Sequence, residues 1–261
     1  MDVVGRIESL WRYPVKSMRG EELREAYLTA KGVYGDRRYA FLSTGARKDF
    51  PYFTARERHE MLLHRAWYRY PEKMVRPQGA LSLADGAIDV ETPAGERLAV
   101  DDPRLIDQLR GGLQEWQRRR HQVMLVQSES PVVDTRPLSL FSLQTVRRLS
   151  DEIGEELDKR RFRANVYVDL TSDVGFDEDS WVGRKLSIGG VAVVEILKRT
   201  KRCKLITLDP DTSVPNIDVM KKVAREHELR AGISAGVLVE GMIGVGDEIR
   251  ILDQDASSLV R

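Results

Sequence analysis

The alternation of apolar and polar positions along the first 100 residues predicts short strands rather than helices. Residues 3–11 are rich in β-forming side chains, and the Tyr13-Pro14 step follows them. Further strands are predicted at residues 23–28, 38–42, 81–83, 87–91 and 97–100. The turn sequences Asp85-Gly86 and Pro93-Ala94-Gly95 separate the last three strands, as in a ladder of hairpins.

The hydrophobic period changes after residue 100. Asp101-Asp102-Pro103 is a typical helix start, and Leu105, Ile106 and Leu109 follow at helical spacing. We therefore predict two domains, residues 1–100 and 101–261. The second has predicted strands at 121–126, 163–170, 191–197, 236–240 and 248–252, and helices at 140–153 and 216–227. This order lacks regular βαβ alternation, which favours a β-rich α+β fold with a few helices.

Three local features complete this prediction. Ser139 is a candidate N-cap for the helix at 140–153. A glycine-rich turn at 241–246 is expected to join the two final strands. The chain from Cys203 onward is expected to form a short strand that ends in a turn.

Composition narrows the class of protein. The 261 residues are 41% hydrophobic and 32% charged, which allows a buried core and a soluble surface. A net charge of +1 argues against a general nucleic-acid binder. No apolar run approaches the roughly 18–20 residues that cross a bilayer, and charges near the start argue against a signal peptide. We expect a cytoplasmic protein with no membrane span.

Two motifs resemble catalytic signatures but have the wrong context. Gly232-Ile233-Ser234-Ala235-Gly236 matches the serine hydrolase pentapeptide, yet the predicted strand follows the serine instead of preceding it. His59 and His64 are five residues apart, so on a helix the second would point about 140° away from the first. Neither a hydrolase nor a helical zinc site is expected.

Cys203 is the only cysteine, and five cations surround it in Lys198-Arg199-Thr200-Lys201-Arg202-Cys203-Lys204. Nearby positive charge stabilises a thiolate and lowers its pKa below the usual value of about 8.5. A thiolate binds a soft metal or attacks an electrophile. The alternative is that Cys203 is a small buried hydrophobic side chain.

Three further segments place cations in predicted loops. Tyr13-Pro14-Val15-Lys16-Ser17 combines an ammonium group with a hydroxyl, which suits a phosphate. Gly35-Asp36-Arg37-Arg38 and Thr54-Ala55-Arg56 add guanidinium groups that can bind phosphate in a bidentate manner. Taken alone, the segment at residues 13–17 favours an ordinary exposed turn.

The second half adds three motifs in a fixed order. One motif is Pro137-Leu138-Ser139-Leu140-Phe141-Ser142, which leads to a predicted helix start. An anion could bind to the first turn of this helix, or Ser139 could simply cap it. Arg161-Phe162-Arg163-Ala164-Asn165 and the stretch from Arg202-Cys203 to Asp209-Pro210-Asp211-Thr212 follow. Together with the three earlier segments, they resemble the MOSC family, the molybdenum-cofactor sulfurase C-terminal domain, preceded by its N-terminal β-barrel-like companion as in amidoxime-reducing components.

This resemblance implies a MOSC-type β-barrel with a few helices, packed with a smaller β-rich N-terminal domain. It also implies a molybdenum–pterin cofactor (Mo-molybdopterin) with Cys203 as the protein ligand to the metal. The implied cofactor-binding residues are Lys16, Ser17, Arg37, Arg56, Ser142, Arg163, Asn165, Thr207 and Asp209. Ala164 and Ser213 stand where the family usually has proline and glycine.

The resemblance further implies an oxidoreductase that removes oxygen from N-hydroxylated small molecules. Thiolate suits a metal already bound by sulfur, and the cofactor carries the difficult chemistry. One cysteine cannot hold an iron–sulfur cluster, which typically takes four. A separate electron-donor protein, a flavin or iron–sulfur reductase, is therefore expected.

Two alternatives to a reductase stay open. A sulfur or cofactor carrier would use Cys203 as a persulfide or thiolate without reducing a substrate. A β-rich binding module would keep Cys203 buried and bind no metal.

Overall fold

The computed structural model describes residues 2–77, 86–134 and 136–252. The strands in the first part are β1 (Val3–Arg12), β2 (Glu21–Leu23), β3 (Glu25–Thr29), β4 (Gly32–Val33), β5 (Tyr39–Arg47), β6 (Phe50–Phe53), β7 (Arg65–Tyr68), β8 (Ile88–Glu91), β9 (Arg97–Ala99) and β10 (Val123–Gln127). The later strands are β11 (Leu138–Ser142), β12 (Val166–Leu170), β13 (Lys185–Ile188), β14 (Ala192–Lys201), β15 (Arg230–Val239), β16 (Gly241–Gly244) and β17 (Glu248–Leu252).

Helices are short throughout the described ranges. The α-helices are α1 (Pro103–Gly111), α2 (Glu115–Arg120), α3 (Leu143–Ile153) and α4 (Ile217–Glu226). Single 3-10 turns occur at His59–Leu63, Pro71–Met74, Lys159–Phe162, Asp177–Trp181 and Lys204–Thr207.

Seven strands close into a barrel in the order β1, β12, β11, β15, β14, β13, β17 and back to β1. Among the strand pairs of the barrel, β11–β12 is parallel and the others are antiparallel. The interior is aliphatic and includes Ile7, Leu186, Val194, Ile196 and Ile233, each at most 2% exposed. Alternation of these side chains along the strands buries one face, which contributes about 1.5–3 kcal/mol for each side chain.

Two further cores lie outside this barrel. One packs the sheets β10-β5-β6 and β7-β8-β9 with α1, through side chains such as Phe41, Phe53 and Leu105. The other packs α3 and α4, through Leu149 and Val223, beside the barrel. The first half of the chain and the barrel are connected by β1, which contributes one wall of the barrel.

The predicted β-rich α+β fold with a few helices is confirmed. The predicted helix after residue 100 is α1, with the Asp102 side chain accepting from the Arg104 N–H as its cap. The predicted strand at 81–83 lies outside the described residues, and the domain boundary near residue 100 stays a prediction.

Three local predictions were wrong. Ser139 lies inside strand β11, because Leu138 and Leu140 alternate into the barrel, and the helix is capped by Ser142 instead. Gly241–Gly244 forms strand β16, paired with β3, and not a turn. Lys204–Thr207 is a 3-10 turn where a short strand was expected.

Candidate functional site

Loops from both halves of the chain converge on a pocket at one end of β14. Its cavity volume is about 130 Å³. Its described lining includes eight cations and one carboxylate: Lys16, Arg37, Arg56, Arg136, Arg161, Arg163, Lys201 and Arg202, with Asp134. We call this the cationic pocket. Such an excess of positive charge in one cavity favours an anionic ligand.

Cys203 lines the cationic pocket directly after β14. The residue is half-buried and its thiol is free. Arg56 Nη2 lies 3.3 Å from Cys203 Sγ in hydrogen-bonding geometry. Lys204 Nζ donates to the Arg56 carbonyl oxygen at 2.5 Å, which holds the two loops together. The sulfur therefore faces a fixed guanidinium group at the wall of the pocket.

Lys16 follows β1 and is 8% exposed at its side chain. Its Nζ donates to the Val132 carbonyl oxygen at 3.1 Å and to the Asp134 carboxylate. Burial lowers the pKa of Lys16, against the opposing effect of Asp134.

Asp134 links the two early cations of the pocket. Arg56 Nη2 donates to Asp134 Oδ2 at 2.6 Å, and Lys16 bonds the other carboxylate oxygen. Burial raises the pKa of Asp134, but Lys16 and Arg56 outweigh this effect and hold that pKa below its ordinary value. This carboxylate neutralises part of the positive charge from inside the pocket.

Three non-glycine residues of the pocket have left-handed backbone conformations: Ser17 at φ 66°, Arg37 at φ 47° and Arg163 at φ 51°. Such conformations cost about 1–3 kcal/mol each and persist only where surrounding structure enforces them. The Arg37 N–H, for example, donates to the Tyr13 carbonyl oxygen at 2.7 Å. Their concentration at one pocket is typical of functional sites.

Two guanidinium groups at the pocket keep unused N–H donors. Arg163 lies over the ring of Tyr13 at 4.3 Å, and Arg202 donates to the carbonyl oxygens of Ala231 and Phe162 at 2.7 and 2.9 Å. The Nη2 atoms of Arg163 and Arg202 are buried without an acceptor among the described protein atoms. Burial lowers the pKa of Arg163, and that of Arg202 to about 10. Buried donors of this kind suit an anionic ligand.

The structure brings six predicted site residues together around the cationic pocket. They are Lys16, Ser17, Arg37, Arg56, Arg163 and Cys203. Because these residues span positions 16 to 203 of the chain, only the tertiary fold makes them neighbours. Their roles as cofactor or metal ligands stay predictions.

The other four predicted residues do not line the pocket. Ser142 caps α3 and donates to Glu178 Oε2 at 2.7 Å. Asn165 accepts from the Ser139 hydroxyl at 3.0 Å and donates to the Trp11 carbonyl oxygen at 3.2 Å, so it connects three barrel strands.

Thr207 and Asp209 both accept hydrogen bonds from Arg161, which lines the pocket. Arg161 Nη1 donates to the Thr207 carbonyl oxygen at 2.8 Å, and its Nη2 donates to Asp209 Oδ2 at 3.1 Å. Asp209 also accepts from the N–H groups of Asp211 and Thr212, which shapes the loop after Cys203. The two residues therefore hold Arg161 in place.

Sequence reasoning did not select Arg161, Arg202 or Asp134 as site residues. Arg161 and Arg202 stand inside the Arg-Phe-Arg and Arg-Cys motifs, so their position in those motifs was the available signal. Asp134 had no such signal, since a carboxylate is not expected in an anion pocket. Its function as a counter-ion depends on Lys16 and Arg56, which are distant in sequence.

Two family models match this chain. The family model described as "MOSC domain" matches residues 121–250, and "MOSC N-terminal beta barrel domain" matches residues 4–127. The chain belongs to the MOSC domain family.

The chain is also similar to several curated proteins. Mitochondrial amidoxime reducing component 2 of Macaca fascicularis is 27% identical, over 94% of this chain and 83% of its own. Mitochondrial amidoxime-reducing component 1 of Homo sapiens is 26% identical, over 81% and 68%. Among solved structures, the YUAD protein from Bacillus subtilis aligns over 94% of both chains with 12% identity and a TM-score of 0.46.

Within the described ranges, no helix combines the length and apolar character needed to cross a bilayer.

Proposed function

We propose that this protein binds a molybdenum–pterin cofactor in the cationic pocket and reduces N-hydroxylated small molecules. The observation that carries this proposal is the position of Cys203 Sγ, the only thiol of the chain, in a pocket whose described lining includes eight cations. Membership of the MOSC family and similarity to amidoxime reducing components support the cofactor and the reaction class.

The donor set of the pocket fits such a group. Lys16, Ser17, Arg37 and Arg56 would hold the pterin and its phosphate, since ammonium, hydroxyl and guanidinium groups suit phosphate oxygens. The unused Nη2 atoms of Arg163 and Arg202 are further donors toward an anionic group. When bound, the cofactor would supply two-electron oxygen-atom transfer.

Cys203 would provide the protein ligand to molybdenum. A thiolate is a soft ligand that matches a metal already bound by sulfur. Arg56 Nη2, 3.3 Å from the sulfur in hydrogen-bonding geometry, would orient this ligand. Asp134 limits the net charge beside this thiolate by pairing with both Arg56 and Lys16.

The proposal is tested by replacing Cys203 with serine or alanine in a host that makes the cofactor. We expect molybdenum per chain to fall at least about tenfold, because loss of a metal ligand removes more than about 1.4 kcal/mol of binding. Some pterin is expected to stay bound through the phosphate-binding residues. Thermal unfolding of both variants controls for misfolding, and undiminished metal content would overturn the assignment of Cys203.

A reductase of this kind needs an electron donor, which we propose to be a separate flavin or iron–sulfur protein of the same compartment, the cytoplasm. The purified chain alone is expected to show no substrate reduction with NADH. Turnover is expected once a suitable reductase is added. Persulfide on metal-free Cys203 would instead favour a sulfur or cofactor carrier, and rapid turnover without a second protein would contradict the partner requirement.

A further inference from the structure

Two aromatic side chains of strand β6 contact the early cations of the cationic pocket. Phe50 and Tyr52 are two positions apart on this strand, so their side chains point to the same face. Their rings meet edge to face, with centroids 5.4 Å apart. Neither residue lines the pocket itself, so both act on it through residues that do.

The lining residues in question are Lys16 and Arg56. The guanidinium carbon of Arg56 lies 4.5 Å from the centroid of the Phe50 ring. Lys16 Nζ lies 5.2 Å from the same centroid and 5.4 Å from that of Tyr52. All three distances are within the limit of about 6 Å at which a cation is attracted to an aromatic face. The Phe50 ring is therefore shared by both cations.

The carboxylate of Asp134 does not balance these two cations by itself. It pairs with both Lys16 and Arg56, which leaves one net positive charge on the three side chains. Solvent reaches little of the cations, because their side chains are only 8% and 23% exposed. Burial, and to a smaller extent the like charge of Arg56, act to lower the pKa of Lys16. The negative face of an aromatic ring offsets such an excess without adding a charge.

The hydrogen bonds of the Arg56 side chain leave its orientation incompletely fixed. They run to Asp134 Oδ2 at 2.6 Å and to Cys203 Sγ at 3.3 Å, and both start from Nη2. Two bonds to one nitrogen fix the position of that atom but not the plane of the guanidinium group. The Phe50 ring, 4.5 Å from the central carbon, supplies the second restraint.

We infer that Phe50 is a positioning residue for Arg56, and that its ring keeps the guanidinium group against Cys203 Sγ. An aromatic side chain at position 50 thus sets the electrostatic surroundings of the sulfur at position 203. The consequence for cofactor binding rests on the proposed function, whereas the contact between Phe50 and Arg56 does not.

Paired alkylation of Cys203 in the metal-free full chain tests this inference. Iodoacetate is an anion and iodoacetamide is its neutral counterpart. Both react with the same thiolate, forming an S–C bond and releasing iodide, so the ratio of their rates cancels the thiolate fraction and reports local charge. Because Cys203 is the only cysteine, one site reacts. Phe50→Leu should lower the iodoacetate-to-iodoacetamide ratio about two- to fivefold, as expected for loss of one cation–π contact.

Three further variants calibrate this ratio. Phe50→Tyr keeps an aromatic face and should restore the ratio of the unmodified protein. Trp67→Leu is the matched control, because the Trp67 ring lies 5.0 Å from Arg97 but outside the pocket, and it should leave the ratio unchanged. Arg56→Gln removes the guanidinium group, so the ratio should fall at least as far as in Phe50→Leu.

Fluorinated phenylalanine at position 50 provides a test that does not need Phe50→Leu to fold. Fluorine withdraws electron density from the ring face and nearly preserves the shape of the ring. The alkylation ratio should therefore fall stepwise with the number of fluorine atoms, because the attraction depends on the charge distribution of the ring. A side chain that only packs against its neighbours would give no such steps.

Three outcomes would overturn the inference: an unchanged ratio in Phe50→Leu, an unchanged ratio in Arg56→Gln, or a flat fluorination series. Pterin content is measured in parallel on protein from a host that makes the cofactor, and it should fall in Phe50→Leu but not in Phe50→Tyr. Absence of pterin from the unmodified protein would count against the proposed function alone, because the alkylation ratio does not involve the cofactor.

Discussion

The barrel interior is apolar and the cationic pocket is strongly charged, although strand β14 contributes residues to both. Ile196 of β14 is fully buried among aliphatic side chains, whereas Cys203, just beyond the end of β14, lines a pocket whose described lining includes eight cations. The barrel is stabilised by non-directional burial along regular strands. The pocket consists largely of loop residues, three of them in strained conformations. A rigid barrel therefore offsets the cost of an unfavourable but chemically useful pocket.

Two carboxylates show the same contrast in their acid–base behaviour. Glu178 is buried beside Ser142 and Thr145, and burial raises its pKa. Asp134 lies in the pocket, where burial also acts to raise its pKa but Lys16 and Arg56 lower it overall. Local charge, and not burial alone, decides the direction of each shift.

The largest expected effect comes from removing a buried side chain of the barrel interior. Ile196→Ala should lower the free energy of unfolding by about 2–5 kcal/mol, because a fully buried side chain leaves a cavity. The adjacent Leu197 is 37% exposed, and Leu197→Ala should cost less than about 1 kcal/mol. Denaturant unfolding measures both, and equal losses would show that β14 does not divide an apolar interior from an outer face.

The next effect is a pH dependence that comes from Glu178. A carboxyl whose pKa is raised in the folded protein binds its proton more tightly there than in the unfolded chain. Stability from this group is therefore full below its ordinary value of 4.5 and falls as pH rises through the higher folded pKa. Glu178→Gln should remove this fall. Unfolding curves at pH values on both sides of 4.5 test it, and parallel profiles for the two proteins would contradict the raised pKa.

The next test measures the energetic cost of the strained backbone in the cationic pocket. Ser17→Gly should raise the free energy of unfolding by about 1 kcal/mol, because glycine tolerates φ 66° while serine does not. Ser213→Gly is the matched control: its φ is 57°, and it does not line the pocket.

The two glycine variants should differ in cofactor retention. Both should be more stable in thermal or denaturant unfolding, but only Ser17→Gly should lose bound pterin, because only it removes a proposed phosphate-binding hydroxyl. Equal pterin content in the two variants would argue against a binding role for Ser17.

The smallest expected effect comes from Asp134, whose contribution to stability changes with pH in the direction opposite to that of Glu178. Lys16 and Arg56 hold the pKa of Asp134 below its ordinary value of 3.8, so its contribution is full above 3.8 and is lost as pH falls through the lower folded pKa. Its side chain is 39% exposed, so solvent screens much of the interaction. Asp134→Asn should flatten the acid limb of the stability profile, and an unchanged acid limb would count against this counter-ion role.

Much of the secondary structure could be predicted from the sequence. Strand β1 and helix α1 follow from residue preferences and local spacing, so a single sequence suffices. Ser139 was assigned to the wrong element because Leu138-Ser139-Leu140-Phe141-Ser142 is compatible with either a strand or the start of a helix. Only pairing with β12 and β15 decided for a strand, and no local pattern reports that pairing.

By itself the sequence determined the chemical groups: one thiol among cations, and motifs in the order of the MOSC family. The tertiary structure decided which of these groups meet. It placed Lys16, Arg56 and Cys203 around one pocket, left Ser142 and Asn165 outside its lining, and introduced Asp134 as a counter-ion. The physical reason is that electrostatic and hydrogen-bonding contacts depend on distances of a few ångströms. Packing of loops from the first half of the chain against the end of β14 sets those distances between residues that are far apart along the chain.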